Sequence, residues 1–140
     1  MSKIILRPEG IWDPNQAGFE HPQPFSQGVS ALHGRTVWVA GQVALDVGGS
    51  IVGRGDAATQ TEVALENMKE VLAEAGAGLE DVVKLTVFLT SMADLPQVQE
   101  VRARYFPRDP PASSTLAISE LVHPELLVEI DAVAVVPGER

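Results

Sequence analysis

Apolar and polar positions along this chain repeat with two different periods, and the switches between them mark its elements. Thr61, Ala64, Leu65, Met68, Val71, Leu72 and Ala75 recur at steps of three and four, with Glu62, Glu66, Lys69, Glu70 and Glu74 on the opposite side. That spacing predicts an amphipathic helix of about five turns. Asp56 stands where a carboxylate would accept from the free first-turn amides, and Gly76 where a left-handed residue ends a helix. From Val82 to Thr90 the period drops to two. Val83, Leu85, Val87 and Leu89 fall on one face; Val82, Lys84, Thr86, Phe88 and Thr90 fall on the other, which predicts a strand. A second helix is predicted from the N-cap Asp94, with Pro96 in its first turn, the stripe Leu95, Val98, Val101 and Tyr105, and Pro107 as its stop. Strands near 114–118 and 127–136 close the chain.

Upstream, Thr36 to Ala40 reads as a strand and Phe25 to Val29 as another, with His33-Gly34 as the hairpin turn between them. Gly48-Gly49 marks a second turn before a short strand over 50–52, so this portion reads as an antiparallel meander. Pro8, Gly10, Pro14, Pro22 and Pro24 make residues 1–24 an irregular arm, pinned down by Trp12 and Phe19. The order of strands, helix, strand, helix and strands predicts an α+β fold, with two helices on one face of a mixed sheet. One domain over 1–140 accommodates it.

Composition narrows the function classes. The 140 residues are 45% apolar and carry a formal charge of −9. That sign opposes binding to nucleic-acid phosphates or an anionic membrane, so neither is expected as a partner. With no cysteine, disulfides and thiol chemistry are excluded. Ile4-Ile5-Leu6 is halted by Arg7, Pro8 and Glu9 and does not read as a signal-peptide core; no apolar run is long enough to span a bilayer. The expectation is a soluble cytoplasmic protein.

Chemistry concentrates in two places. Glu129 and Asp131 share a strand face inside the apolar run Leu127 to Val133. A buried carboxylate is costly unless paired. Either Lys84 neutralises one of the two acids, or Glu129 sits in a cleft and handles water or a proton. Ser113-Ser114-Thr115 gathers three hydroxyls after Pro110-Pro111. They are either polar positions at a strand entrance or donors for an anionic or carbonyl group. A Ser-His hydrolase would need His123 to approach them, which nothing in the sequence argues. His21, His33 and His123 lack metal-ligand spacing. Gly53-Arg54-Gly55-Asp56 reads as a plain turn before a capped helix, not an anion cradle.

Several segments, in order, resemble the RidA/YjgF family, also known as endoribonuclease L-PSP. Pro24-Phe25-Ser26-Gln27-Gly28 is similar to its Gly-Pro-Tyr-Ser-Gln, and Ala40-Gly41-Gln42-Val43 to its Ser-Gly-Gln-Ile. Asp81 to Leu89, Pro110 to Thr115 and Val128 to Ala132 match its central strand, its Pro-Ala-Arg-Ser-Thr segment and its terminal strand. The resemblance implies a chorismate-mutase-like fold and a homotrimer with small-molecule sites in clefts between subunits. It also implies hydrolysis of reactive enamines and imines to keto acids and ammonia, without cofactor or metal. Carried over by position, Glu129 is the family's acid, Gly41 lines the pocket with backbone, and Thr115 is a pocket position. Phe88 and Ser114 complete the implied lining. Four anchors differ: Phe25 replaces a tyrosine, Ala40 a serine, Gln99 an asparagine, and Ser113 the arginine that grips the substrate carboxylate. A guanidinium fork has no equivalent in a serine hydroxyl. Two functions are therefore expected: a Rid-type deaminase with altered substrate, on which the ordinary imino acids bind poorly, or a trimeric small-molecule binder without chemistry. The charge disfavours a ribonuclease.

Overall fold

The computed structural model describes residues 3–14 and 23–137. Its elements are β1 (Lys3–Leu6), β2 (Gly28–Ala31), β3 (Gly34–Gln42), α1 (Ala57–Glu74), β4 (Val82–Leu89), α2 (Leu95–Tyr105), β5 (Ala112–Ala117) and β6 (Val128–Pro137). The main sheet has the order β3-β6-β4-β5: β6 runs antiparallel to both neighbours, and β4 and β5 are parallel. Both helices pack on one face, giving the expected α+β layer.

α1 forms as its sequence dictates. The Asp56 carboxylate accepts from the Thr59 amide, and burial falls on Ala57, Gln60, Thr61, Ala64, Leu65, Met68 and Leu72. Gly76 adopts φ +73°, while the Ala77 and Gly76 amides donate to the Leu72 and Ala73 carbonyls, closing the helix end. Val71, assigned to the buried stripe by spacing, is exposed; it lies at the margin of the apolar arc. In β4, Leu85, Val87 and Leu89 point at the helices as predicted. An irregularity between Val82 and Lys84 turns Val82 into the core and leaves Val83 half-buried. Asp94 precedes α2 but makes no capping bond; Ser91 Oγ accepts from the Ala93 amide in the turn before it.

The predicted meander does not form. β2 covers Gly28–Ala31, not 25–29, and pairs with β1, which sequence reasoning missed; β3 pairs with β6. His33-Gly34 is therefore a link between two sheets and not a hairpin turn. Residues 50–52 give only an isolated bridge, Leu45 with Ile51. Of the two arm anchors, Trp12 stands edge-on to Phe25 with centroids 6.0 Å apart; Phe19 lies outside the described residues.

One buried polar side chain fixes where β6 begins. Gln60, fully covered on α1, donates through Nε2 to the carbonyls of Gly53 (3.0 Å) and Glu125 (2.9 Å) and accepts from the Leu127 amide at 2.8 Å. The Gly53 carbonyl keeps its bond from the Asp56 amide, so replacing Gln60 by leucine leaves two backbone groups, the Glu125 carbonyl and the Leu127 amide, unpaired next to the core. At roughly 1–3 kcal/mol for each group left unsatisfied, Gln60→Leu is expected to lower the unfolding free energy by about 2 kcal/mol or more, measured by urea denaturation.

Candidate functional site

The alternation of β6 against its neighbours sorts the candidate residues onto two faces. Ile130 lies opposite Val87 and Ala132 opposite Leu85, both towards the helices; Glu129 lies opposite Phe88 and Asp131 opposite Thr86, on the face without helices. In β5, Ser113 pairs with Leu85 and Thr115 with Val87, on the helix side; Ser114 pairs with Thr86 and Leu116 with Phe88, on the open side. A single chain thus gathers Glu129, Phe88 and Ser114 on one face and puts Ser113 and Thr115 on the other.

Glu129 is half-buried and seated against the end of β3. The ladder there is broken between Val39 and Gln42, which brings Ala40 and Gly41, both exposed, beside it. A Cβ on Gly41 would overlap the Glu129 carboxylate and crowd its Cδ. The glycine is thus needed for close approach, not for an unusual backbone angle. Lys84 does not neutralise the acids: its ammonium donates to Ser114 Oγ at 3.0 Å. Among the described residues neither Glu129 nor Asp131 has a cation within 4.0 Å. Neither carboxylate is therefore tied up in an ion pair among the described residues.

The second group centres on a residue that sequence reasoning missed. Arg102 of α2 has 0% exposure. Its Nη1 donates to Gln99 Oε1 at 2.7 Å and its Nη2 to Ser113 Oγ at 2.8 Å, with the Pro24 carbonyl at 3.4 Å; Nε has no partner. Gln99 in turn reaches Gln23 Oε1 at 3.4 Å. The guanidinium therefore ties α2, the arm beside Phe25 and the start of β5. Burial pushes it down to about 10, so it remains a cation at neutral pH, at a desolvation cost of roughly 3 kcal/mol. The signal was present: Arg102 follows Val98 by four and Val101 by one, and so occupies the apolar stripe of α2.

Other candidates separate from both groups. His123 Nδ1 accepts from the Glu125 amide in its own turn, and His21 lies outside the described residues. Arg54 pairs with Glu125 beside the Asp56 cap. Among the described residues no three His, Cys, Asp or Glu side chains converge on a metal position, and no helix is long and apolar enough to cross a membrane. The groove of about 800 Å³ between the C-terminal ends of α1 and α2, lined by Lys3, Tyr105 and Arg108 among others, contains none of the candidate residues.

A family model described as endoribonuclease L-PSP matches residues 17–136. Protein DfrA of Myxococcus xanthus is 41% identical over 112 residues, covering 80% of this chain and 85% of the relative. The 3-aminoacrylate deaminase RutC of Acinetobacter baylyi is 38% identical over 135 residues, covering 96% and 98% respectively. The crystal structure of the Rid-family protein YyfB from Yersinia pestis superposes with a TM-score of 0.84 at 38% identity, covering 97% of this chain and all of that one.

The Gly41–Glu129 contact makes a direct prediction. In Gly41→Ala the glutamate must leave its rotamer; a crystal structure is expected to show the carboxylate displaced. The melting temperature should change by only a few degrees, since the side chain that yields is half-buried.

Proposed function

The chain belongs to the RidA/YjgF family, and from that premise we propose that it hydrolyses a small enamine or imine, in clefts completed between the subunits of a homotrimer. The observation that carries the reading is Glu129: a carboxylate without a cationic partner among the described residues, held against the Gly41 backbone on the helix-free face of the sheet. The deaminase named among its relatives supports the reaction class. An imine is already electrophilic. As water adds to the C=N carbon, its first proton passes through Glu129 to the nitrogen and a carbinolamine forms. The carbinolamine hydroxyl proton then passes through Glu129 to the same nitrogen as C=O forms and the C–N bond breaks. Imine plus water thereby gives carbonyl compound plus ammonia, with no net change in the protein. An enamine first takes a proton at carbon and loses one from nitrogen to become that imine. Holding the reactants together supplies most of the remaining acceleration.

The trimer is supported by two facts. Glu129 and Ser113 face opposite sides of one sheet, so a cleft using both needs a second copy. The helix-free face also carries Trp38, 76% exposed, and Leu116, 43% exposed, apolar surface of the kind that a partner covers. A second reading, a binder without chemistry, is favoured by Phe25 and Ala40, which bring no hydroxyl to the cleft.

Imines released in situ, carboxylate-bearing ones by an amino-acid oxidase and neutral ones by a flavin amine oxidase, with ammonia release compared against buffer alone, test the reaction. The expected result is acceleration of at least one of the two classes by the wild type and a loss of roughly 10²-fold or more in Glu129→Gln, the usual scale for a positioned acid–base group. Binding without turnover would favour the second reading. For assembly, light scattering is expected to give three times the 14.9 kDa chain mass. Trp38→Asp should shift that mass towards the monomer.

A further inference from the structure

Packing alone does not account for Arg102. It is a fully covered guanidinium with no carboxylate within ion-pair distance among the described residues, and so an uncompensated buried charge. Its partners, Gln99, Ser113 and the Pro24 carbonyl, are all neutral, and its Nε makes no hydrogen bond. Surplus positive charge in a low-dielectric position attracts an anion.

The route to a ligand is Ser113. Its Oγ accepts from Arg102 Nη2 at 2.8 Å, which leaves the hydroxyl proton to be donated elsewhere. A donor whose oxygen already accepts from a cation is polarised and donates more strongly. Ser113 is half-buried on the edge strand β5, whereas Arg102 is wholly covered. A ligand can therefore touch the hydroxyl and feel the guanidinium behind it.

We infer that Arg102 is a positioning residue that determines specificity: acting from α2 through the Ser113 hydroxyl, it makes the cleft select a carboxylate-bearing enamine or imine over a neutral one. The inference rests on the Rid-type reading of the same cleft. It reverses the expectation, drawn from position 113 alone, that a carboxylate binds poorly. A merely structural Arg102, stapling α2 to the arm and to β5, would be indifferent to the charge of the ligand.

The test is equilibrium binding of 2-oxobutyrate and its uncharged analogue 2-oxobutanamide to the intact protein, followed by NMR titration. Wild type is expected to prefer the carboxylate at least tenfold. Arg102→Met should bring the two within about twofold, Arg102→Lys should keep most of the preference, and Ser113→Ala should reduce it several-fold. Equal binding by wild type, or wild-type preference in either Arg102→Met or Ser113→Ala, overturns the inference. If Arg102→Met does not fold, the other two variants decide: full preference in Ser113→Ala, or none in a folded Arg102→Lys, overturns it. Binding needs no turnover, so the two readings fail separately. Charge-selective binding without hydrolysis removes the proposed reaction and leaves Arg102 its role; hydrolysis with charge-blind binding does the reverse.

Discussion

β6 is the strand on which the rest of the fold depends. It is hydrogen-bonded to β3 on one side and β4 on the other, so without it the sheet falls into unconnected pieces. Its inward residues Val128, Ile130, Ala132 and Ala134 are all at or near zero exposure and meet Leu85, Val87 and Leu89 under the helices. Burying a residue of the size of Ile130 contributes about 1.5–3 kcal/mol. Because neighbouring side chains on a strand point opposite ways, that stability leaves Glu129 and Asp131 unconstrained by the core. The acid is thus mounted on a strand paired on both sides while its head stays clear of the apolar layer. Gln60 adds to this by tying the entry of β6 to α1, so helix packing and the placement of Glu129 are mechanically linked.

Arg102 poses the opposite problem. It sits inside the layer that stabilises the fold, where a charge opposes folding. Its hydrogen bonds to Gln99, Ser113 and Pro24 offset part of that opposition. Apolar replacements of buried ionic groups are often neutral or better for stability. The retention of a lone cation there is more readily understood through what it does to an anion than through what it does for the core.

Local pattern made much of the fold legible in the sequence. The cap at Asp56, the stop at Gly76, the period of α1 and the alternation of β4 are dictated by residues within a few positions of each other, and all appear in the structure. Pairing partners were not legible. β3 finds β6 some ninety residues later, and nothing in the local pattern of 28–42 distinguishes that from a hairpin with β2. The break at Val82 that redirects Val83 is likewise set by pairing with β6. At the candidate site, position-by-position comparison registered the loss of a guanidinium at 113 but had no means of seeing one arrive from another element. The clue lay in periodicity instead: a charged residue at a stripe position of α2, where packing called for a hydrophobe.

The two groups of candidate residues have different physical requirements, and the sheet serves both by keeping them apart. For the proposed reaction Glu129 needs water and room, which the helix-free face and the glycine beside it supply. The cation needs exclusion from water if its field is to reach beyond one hydroxyl, so it belongs under the helices. Were both on one face of one chain, their mutual attraction would hold the carboxylate as a passive counter-ion. Separation by the thickness of a sheet preserves each charge unspent. On the proposed reading, an acid and a cation-backed hydroxyl meet at one ligand through a second copy of the chain, and assembly is then a condition of the chemistry and not an accompaniment to it.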